Sequence, residues 1–173
     1  KNEEERIKDC IDLVIKNKPD EIIVVDGNSK DRTVEILETY KSIHLVKSID
    51  SNLTKDRQIG IDIAKNKLIA MIDADHRLSS QDLKSLYKDL KDLKLDIVQS
   101  GLKSYVGSGF WGKAEEQAWK LNHNIPGSKK MIGVAPALFK KKVFDKIKFD
   151  SEITKTIDDT DFIYRLSKNT NFR

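Results

Sequence analysis

The stretch KLIAMIDAD, residues 67–75, decides the fold class of this chain of 173 residues. Its apolar run, residues 68–72, lacks the polar alternation of a half-exposed strand and is typical of strands that helices cover on both faces. The run ends in Asp73-Ala74-Asp75, so acidic side chains follow directly where the strand ends. We therefore expect an α/β sheet with acids at one of its edges.

Helical and strand patterns alternate through the first hundred residues. Three apolar stripes have the i, i+3, i+4, i+7 spacing of amphipathic helices. They are Ile7/Cys10/Ile11/Val14, Thr33/Ile36/Leu37/Tyr40 and Leu83/Leu86/Tyr87/Leu90. A fourth helix, with a small-residue face, is predicted at residues 59–64, and strands are predicted at residues 22–25, 43–46, 68–72 and 96–98. This alternation predicts βαβ crossovers and a largely parallel sheet with helices on both faces.

The pattern loosens after about residue 101. Glycines predict turns within residues 105–111. Further along, we expect a helix at 115–121, a strand at 133–139 and a short helix at 141–147. Asp31 and either Ser79 or Ser80 are predicted helix caps, and Ser79-Ser80-Gln81-Asp82 has the form of a capping box.

Composition restricts the class of protein only broadly. The formal net charge of +4 suits an anionic small ligand, a membrane surface or nucleic acid, or reflects lysines on solvated faces. The single cysteine, Cys10, excludes an intrachain disulfide and favours a reducing compartment. No run approaches the roughly 18 apolar residues of a membrane span, so we expect a cytoplasmic location. Seven lysines in residues 129–148 leave peripheral membrane association open.

Acidic residues follow two predicted strands. Asp26 ends the run at residues 22–25, and Asp73 and Asp75 end the run at 68–72. Ligands of open parallel sheets bind outside the carboxyl ends of the strands, so these acids should share one edge. Mg²⁺ takes one or two protein carboxylates and fills its other positions with water and phosphate oxygens. The alternative is that Asp73 and Asp75 only form an Asx-turn or cap a helix; His76 beside them either reaches the metal or is merely exposed.

A third acidic segment, residues 158–161, precedes a short apolar helical pattern. Acids favour helix N-termini through capping and the helix dipole, which is the simplest interpretation. Asp158 and Asp159 are adjacent and point in different directions, so one can face a ligand while the other caps the helix.

Taken together, these segments resemble the family-2 glycosyltransferases of the GT-A fold. Asn2-Glu3-Glu4 before the first helix resembles the family's "NEE" segment, and EIIVVDGNSKDRT, residues 21–33, resembles its nucleotide-binding strand and loop. KDRQIGIDIAKNKLIAMIDAD, residues 55–75, is similar to the stretch that leads into Asp-x-Asp. FDSEITKTIDDTDFIYRL, residues 149–166, is similar to the segment that holds the catalytic base. Four motifs in the family's order are far more specific than any one of them.

The resemblance implies a Rossmann-like, mostly parallel sheet and an inverting glycosyltransferase. It implies that Asp26 contacts the nucleotide base, that Arg57 lies near the base or diphosphate, and that Asp73 binds the ribose or supports the metal site. Asp75 would bind Mg²⁺ or Mn²⁺, which bridges the diphosphate of a nucleotide-sugar donor, a UDP-sugar above all. Asp159 would deprotonate the hydroxyl of a saccharide, lipid-linked or protein acceptor; no nucleic acid partner is implied.

The chain departs from the family pattern in a few places. Gly27 stands for the family's second acid, Asn28 for its glycine, and Asp158 for a glutamate. The family's first strand should precede Asn2, so we expect residues 1–173 to be a single catalytic domain that lacks this strand and its C-terminal part. Two other classes stay open: a nucleotidyltransferase of related architecture and a non-catalytic nucleotide-binding remnant.

Overall fold

The computed structural model describes the whole chain except residues 51, 104–108, 123, 129–131, 154–157 and 170. Six helices and five strands occur in the described part. In chain order they are α1 (Ile7–Lys16), β1 (Ile23–Asp26), α2 (Thr33–Glu38), β2 (His44–Lys47), α3 (Leu53–Ile63), β3 (Leu68–Met71), α4 (Asp82–Asp92), β4 (Ile97–Gln99), α5 (Phe110–Asn122), β5 (Ala137–Lys140) and α6 (Asp158–Asn169). The predicted alternation of strands and helices is confirmed, with strand ends shifted by about one residue.

The strands form two groups. β1 and β2 pair in parallel from Ile23↔His44 to Asp26↔Lys47, as the alternation predicts. β5 lies between β3 and β4 and is antiparallel to both. Because β5 comes from the looser second part of the chain, the pattern of the first hundred residues does not reveal its place. Its insertion brings the residues just before it alongside the end of β4.

Three local predictions for the second part of the chain need correction. The predicted turns ended at residue 111, but α5 begins at Phe110; residues 104–108 lie outside the described part. The strand predicted at 133–139 begins only at Ala137, after Pro136, which has no N–H to donate to a ladder. The helix predicted at 141–147 is only a 3₁₀ turn, Lys141–Val143.

The two predicted caps are only partly formed, because the residues directly before α2 and α4 are Arg32 and Gln81, and neither makes a side-chain cap hydrogen bond. Asp31 accepts hydrogen bonds from the backbone N and the Oγ1 of Thr33, the first residue of α2, at 3.0 and 2.6 Å. Asp82 accepts one from the backbone N of Ser79 at 2.7 Å, which is the acid's half of a capping box.

An aromatic core fixes α6 against the sheet. Phe162 is fully buried, and its ring stacks on Phe149 with 4.4 Å between centroids. Phe139 of β5 packs edge-on against it, at 6.5 Å. Full burial of one such ring stabilises the fold by roughly 1.5–3 kcal/mol. The core therefore sets where the first turn of α6 lies.

A groove of about 1490 Å³ separates β1 from β3. Ile23 and Val25 line one side of it and Leu68 and Ala70 the other. Its residues also include the acids that follow these strands. No described helix is long and apolar enough to cross a membrane.

Candidate donor-binding and catalytic site

The first residues of the chain are tied to the loop that follows β1. The backbone N of Asn2 donates to Oγ of Ser29 at 2.8 Å, and the backbone N of Glu3 donates to Oγ1 of Thr33 at 2.7 Å. In return, Oδ1 of Asn2 accepts from the backbone N of Lys30 at 2.8 Å. Two of the sequence motifs, far apart in the chain, therefore form one structural unit.

Asp26 shapes the turn at the end of β1. Its carboxylate accepts hydrogen bonds from the backbone N of Ser29 at 2.9 Å and from Oγ of Ser29 at 2.5 Å. Asn28 has φ +59°, a left-handed conformation that asparagine tolerates better than most residues. Asp26 is only 3% exposed and lines the groove. Asp26 therefore lies beside the groove, and both of its oxygens already accept hydrogen bonds from Ser29.

The loop after β3 is closed by His76. The backbone N of His76 donates to the carbonyl of Asp73 at 3.0 Å, and Nδ1 of His76 accepts from the backbone N of Asp73 at 3.1 Å. One ligand atom each from Asp73, Asp75 and His76 lies within 4.8 Å of the others, so this cluster could hold a metal ion. Nδ1 of His76 is used in the turn, so Nε2 is the ring nitrogen that remains as a candidate ligand beside the two carboxylates.

Residues of helix α1 contact the loop that follows β3. The buried thiol of Cys10 donates to the carbonyl of Asp73 at 3.6 Å. Arg77 donates to the carbonyl of Ala74 at 3.3 Å and pairs with Asp9 at 3.8 Å. Burial raises the pKa of the Cys10 thiol to about 11, so Cys10 stays protonated and keeps this contact near neutral pH.

Arg57 joins the loop after β3 to helix α6. Its NH1 donates to Oδ1 of Asp159 at 2.5 Å, and its NH2 lies 3.2 Å from both carboxylate oxygens of Asp73. The side chain of Arg57 is 9% exposed, and its guanidinium carbon lies 5.9 Å from the ring centroid of Phe149. Two carboxylates separated by 86 positions in the chain, at 73 and 159, thus share one buried cation.

Asp159 is held on both sides without being closed off. Oδ1 accepts from Arg57, and Oδ2 accepts from the backbone N of Val134 at 3.1 Å. The side chain of Asp159 keeps 34% of its surface exposed. It lies in the first turn of α6, where the helix dipole favours a negative charge. A carboxylate oxygen has two lone pairs, so each oxygen can still accept a proton from a ligand. The side chain of Asp158 lies outside the described part.

The charges at this edge are unbalanced. Arg57 serves two carboxylates, and Asp75 is exposed, with no ion-pair partner among the residues that the structure describes. Uncompensated carboxylates close together repel one another unless a cation joins them. The group of Asp73, Asp75 and His76 is therefore the position in the described part of the chain at which a cation could be held.

The structure brings the five predicted site residues to one region: Asp26, Arg57, Asp73 and Asp75 line the groove, and Arg57 links them to Asp159. Sequence reasoning missed two groups beside Asp159. One is the backbone N–H of Val134, which no side-chain pattern could reveal. The other is Gln99, the last residue of β4, whose Oε1 accepts from the backbone N of Gly133 at 3.1 Å. The only available signal for Gln99 was a polar residue at the end of an apolar run.

Comparison with known proteins identifies the class to which this fold and site belong. The family model described as Glycosyl transferase family 2 matches residues 1–150. The uncharacterized glycosyltransferase EpsJ of Bacillus subtilis is 31% identical over 122 residues, which cover 67% of this chain and 33% of EpsJ. This chain belongs to glycosyltransferase family 2.

Other similar proteins agree on the class and the fold. The poly(ribitol-phosphate) beta-glucosyltransferase of Bacillus spizizenii is 31% identical over 118 residues, covering 62% of this chain and 19% of that protein. The crystal structure of residues 1–349 of S. aureus TarS in complex with UDP-GlcNAc has a TM-score of 0.74 at 18% identity, covering 99% of this chain and 52% of that one. The fold is accordingly GT-A. The chain spans a third or less of the length of the curated relatives named here.

Proposed function

We propose that this domain transfers a sugar, with inversion, from a UDP-sugar to an acceptor hydroxyl. The observation that carries the proposal is the bridge from Asp73 through Arg57 to Asp159. It joins an acidic strand-end loop, suited to a cation that binds a donor diphosphate, to a partly exposed carboxylate suited to a general base. Transfer needs both groups at one centre, because the base must act where the donor's anomeric carbon lies.

Asp159 is proposed as the general base. A hydroxyl is a poor nucleophile until a carboxylate within hydrogen-bond reach takes its proton. The bonds from Arg57 and Val134 fix the carboxylate, so its free lone pairs face a defined direction. Attack by the activated hydroxyl on the face opposite the leaving diphosphate inverts the anomeric centre.

Asp75 is proposed to hold Mg²⁺ or Mn²⁺. Its carboxylate is exposed, and hard divalent cations prefer oxygen ligands and leave positions for phosphate oxygens. When bound, such a cation stabilises the negative charge that develops on the departing diphosphate. Asp73 is already paired with Arg57, so it supports the loop or binds the ribose rather than supplying a second free carboxylate.

The nucleotide is proposed to be UDP, with its base beside Asp26 and its diphosphate near Arg57. The support is the complexes of TarS with UDP and UDP-GlcNAc, in a protein of the same fold. The acceptor class is a saccharide, a lipid-linked saccharide or a protein. Membership in family 2 favours glycosyl transfer over nucleotidyl transfer and over a purely binding role.

An extended segment that precedes α1 is proposed to complete the domain by filling the groove. The carbonyls of Ile22 and Asp26 accept from β2, so the amides of Ile23 and Val25 point towards the groove. An apolar groove between two strand edges suits another strand better than it suits a polar nucleotide. In the full-length protein, amide hydrogen exchange at Ile23 and Val25 should therefore be slow; exchange as fast as in an open loop would refute the filled groove.

The inverting reaction can be tested with UDP-GlcNAc, an α-linked donor, and water as the acceptor. Proton NMR of the full-length protein with Mn²⁺ replaced by Mg²⁺, to avoid paramagnetic broadening, follows the first sugar released. Release of the β-anomer before mutarotation supports inversion. Release of the α-anomer contradicts inversion, and the absence of both UDP binding and UDP release contradicts the proposed donor.

A further inference from the structure

The side chain of Gln99 lies on the far side of Asp159 from Arg57. Oδ1 of Asp159 faces Arg57 and, through it, the acidic loop at Asp73. Oδ2 accepts from the backbone N of Val134, and the neighbouring backbone N of Gly133 donates to Gln99. The donor side and the Gln99 side of the base are therefore distinct.

The amide of Gln99 has a fixed orientation. Its Oε1 accepts from the backbone N of Gly133 at 3.1 Å, which determines which end of the amide points away. Among the residues that the structure describes, Nε2 has no hydrogen-bond partner. The residue is half-buried, and Nε2 is not among the buried atoms that lack a partner, so this donor is open to water or to a ligand.

The absence of a side chain at Gly133 leaves space between Gln99 and Asp159. A Cβ at this position would lie 3.1 Å from Nε2 of Gln99 and 3.7 Å from Oδ2 of Asp159. The amide donor and the carboxylate acceptor thus flank one point. An approaching hydroxyl needs such a pair, because its proton goes to an acceptor while its oxygen can accept from a donor.

We propose that Gln99 binds the acceptor, with Nε2 donating to the oxygen of the hydroxyl or water whose proton Asp159 takes. The inference rests on the proposed function of Asp159. One oxygen lone pair is held by Gln99 and the other stays free to attack the anomeric carbon, so the amide orients the nucleophile. No bond to Gln99 is made or broken during the transfer.

The test compares Gln99→Met and Gln99→Glu with the parent, in the full-length protein. Methionine keeps the approximate size and removes both hydrogen-bonding ends. Glutamate keeps an oxygen for Gly133 but replaces the donor with an acceptor and adds a negative charge near Asp159. Hydrolysis of UDP-GlcNAc, in which water is the acceptor, is measured together with the affinity for UDP in the presence of Mn²⁺. Gln81→Glu, at an exposed position beside the start of α4, is the matched control.

Gln99→Met should lose about tenfold in kcat, the scale of a single hydrogen bond, and Gln99→Glu at least as much, because its charge also opposes that of Asp159; UDP affinity and melting temperature should stay near those of the parent. Gly133→Ala should lower kcat as well, by displacing Nε2, but it should add little to Gln99→Met, because both changes remove the same contact. A kcat equal to the parent's in either Gln99 variant would overturn this inference but not the proposed function. A parent protein that neither binds UDP nor hydrolyses UDP-GlcNAc would instead contradict the proposed function.

Discussion

Arg57 and Asp159 form a 2.5 Å hydrogen bond although 102 positions separate them in the chain. The same guanidinium contacts the carboxylate of Asp73, and Phe149 lies beneath it. The planar fork of arginine can serve two carboxylates at once, whereas lysine offers a single point charge. Arg57 is therefore the residue through which the acidic loop after β3 and the first turn of α6 keep their relative positions.

A lysine at position 57 should no longer bind the carboxylates of Asp73 and Asp159 at the same time. We expect kcat for UDP-GlcNAc hydrolysis to fall by about tenfold or more, since the loss of one charged hydrogen bond costs roughly 1.5–3 kcal/mol. Arg57→Met should be worse, because it leaves Asp73 and Asp159 with no shared cation. Steady-state kinetics measure both, and Arg32→Lys, at an exposed ion pair, is the control. Equal kinetics in Arg57→Lys and the parent would show that the bridge is dispensable.

Asp159→Asn should abolish the base while preserving the shape of the site. Asparagine keeps an oxygen for Arg57 or Val134 but cannot take a proton at neutral pH. Turnover should fall by roughly 10²–10⁴-fold, the usual range for loss of a general base, while UDP affinity stays close to that of the parent. The matched control is Asp161→Asn, because Asp161 lies in the same helix but its carboxylate pairs with Arg165. If Asp159→Asn turns over at the parental rate, the base lies elsewhere.

Cys10 should make stability depend on pH in the alkaline range. Burial raises the pKa of its thiol from 9.0 to about 11 in the folded protein. As the pH rises through this interval, the unfolded chain releases the thiol proton and the folded chain retains it, so the free energy of unfolding falls. The fall attributable to Cys10 should reach roughly 2–3 kcal/mol.

Urea unfolding at the two ends of this pH interval measures the effect, with Cys10→Ala as the reference. The variant is expected to be less stable than the parent near neutral pH, because it loses the packing and the contact with the carbonyl of Asp73. Its loss of stability on going to high pH should be smaller than that of the parent. Parallel curves for the two proteins would contradict a buried, protonated thiol.

The sequence predicts the first part of the fold better than the second, for a physical reason. Strands such as Leu68–Met71 are apolar runs between amphipathic helices, and both patterns are visible in residue types. β5 lies between β3 and β4 and is antiparallel to both. Tertiary contacts determine this position, and the four residues of β5 do not encode it by themselves. The order of the strands in the sheet could therefore not be predicted from local sequence patterns.

The site divides in the same way. The acids at positions 26, 73, 75 and 159 could be predicted from strand ends and motif order, and the structure brings them to one region. The contacts that orient them involve backbone groups, such as the N–H of Val134 and the carbonyl of Asp73, which every residue type carries. For that reason, the orientation of Asp159 and the place of Gln99 required coordinates.

The most direct test of the central claim is calorimetric titration of UDP into the full-length protein with and without Mn²⁺. The claim is that the carboxylates at this edge form a metal-dependent donor site. The parent should bind UDP more tightly with Mn²⁺, and Asp75→Ala should lose that gain, whereas Asp92→Ala, at a surface ion pair with Lys88, should keep it. An Asp75→Ala protein whose UDP affinity still responds to Mn²⁺ as the parent's does would contradict the account.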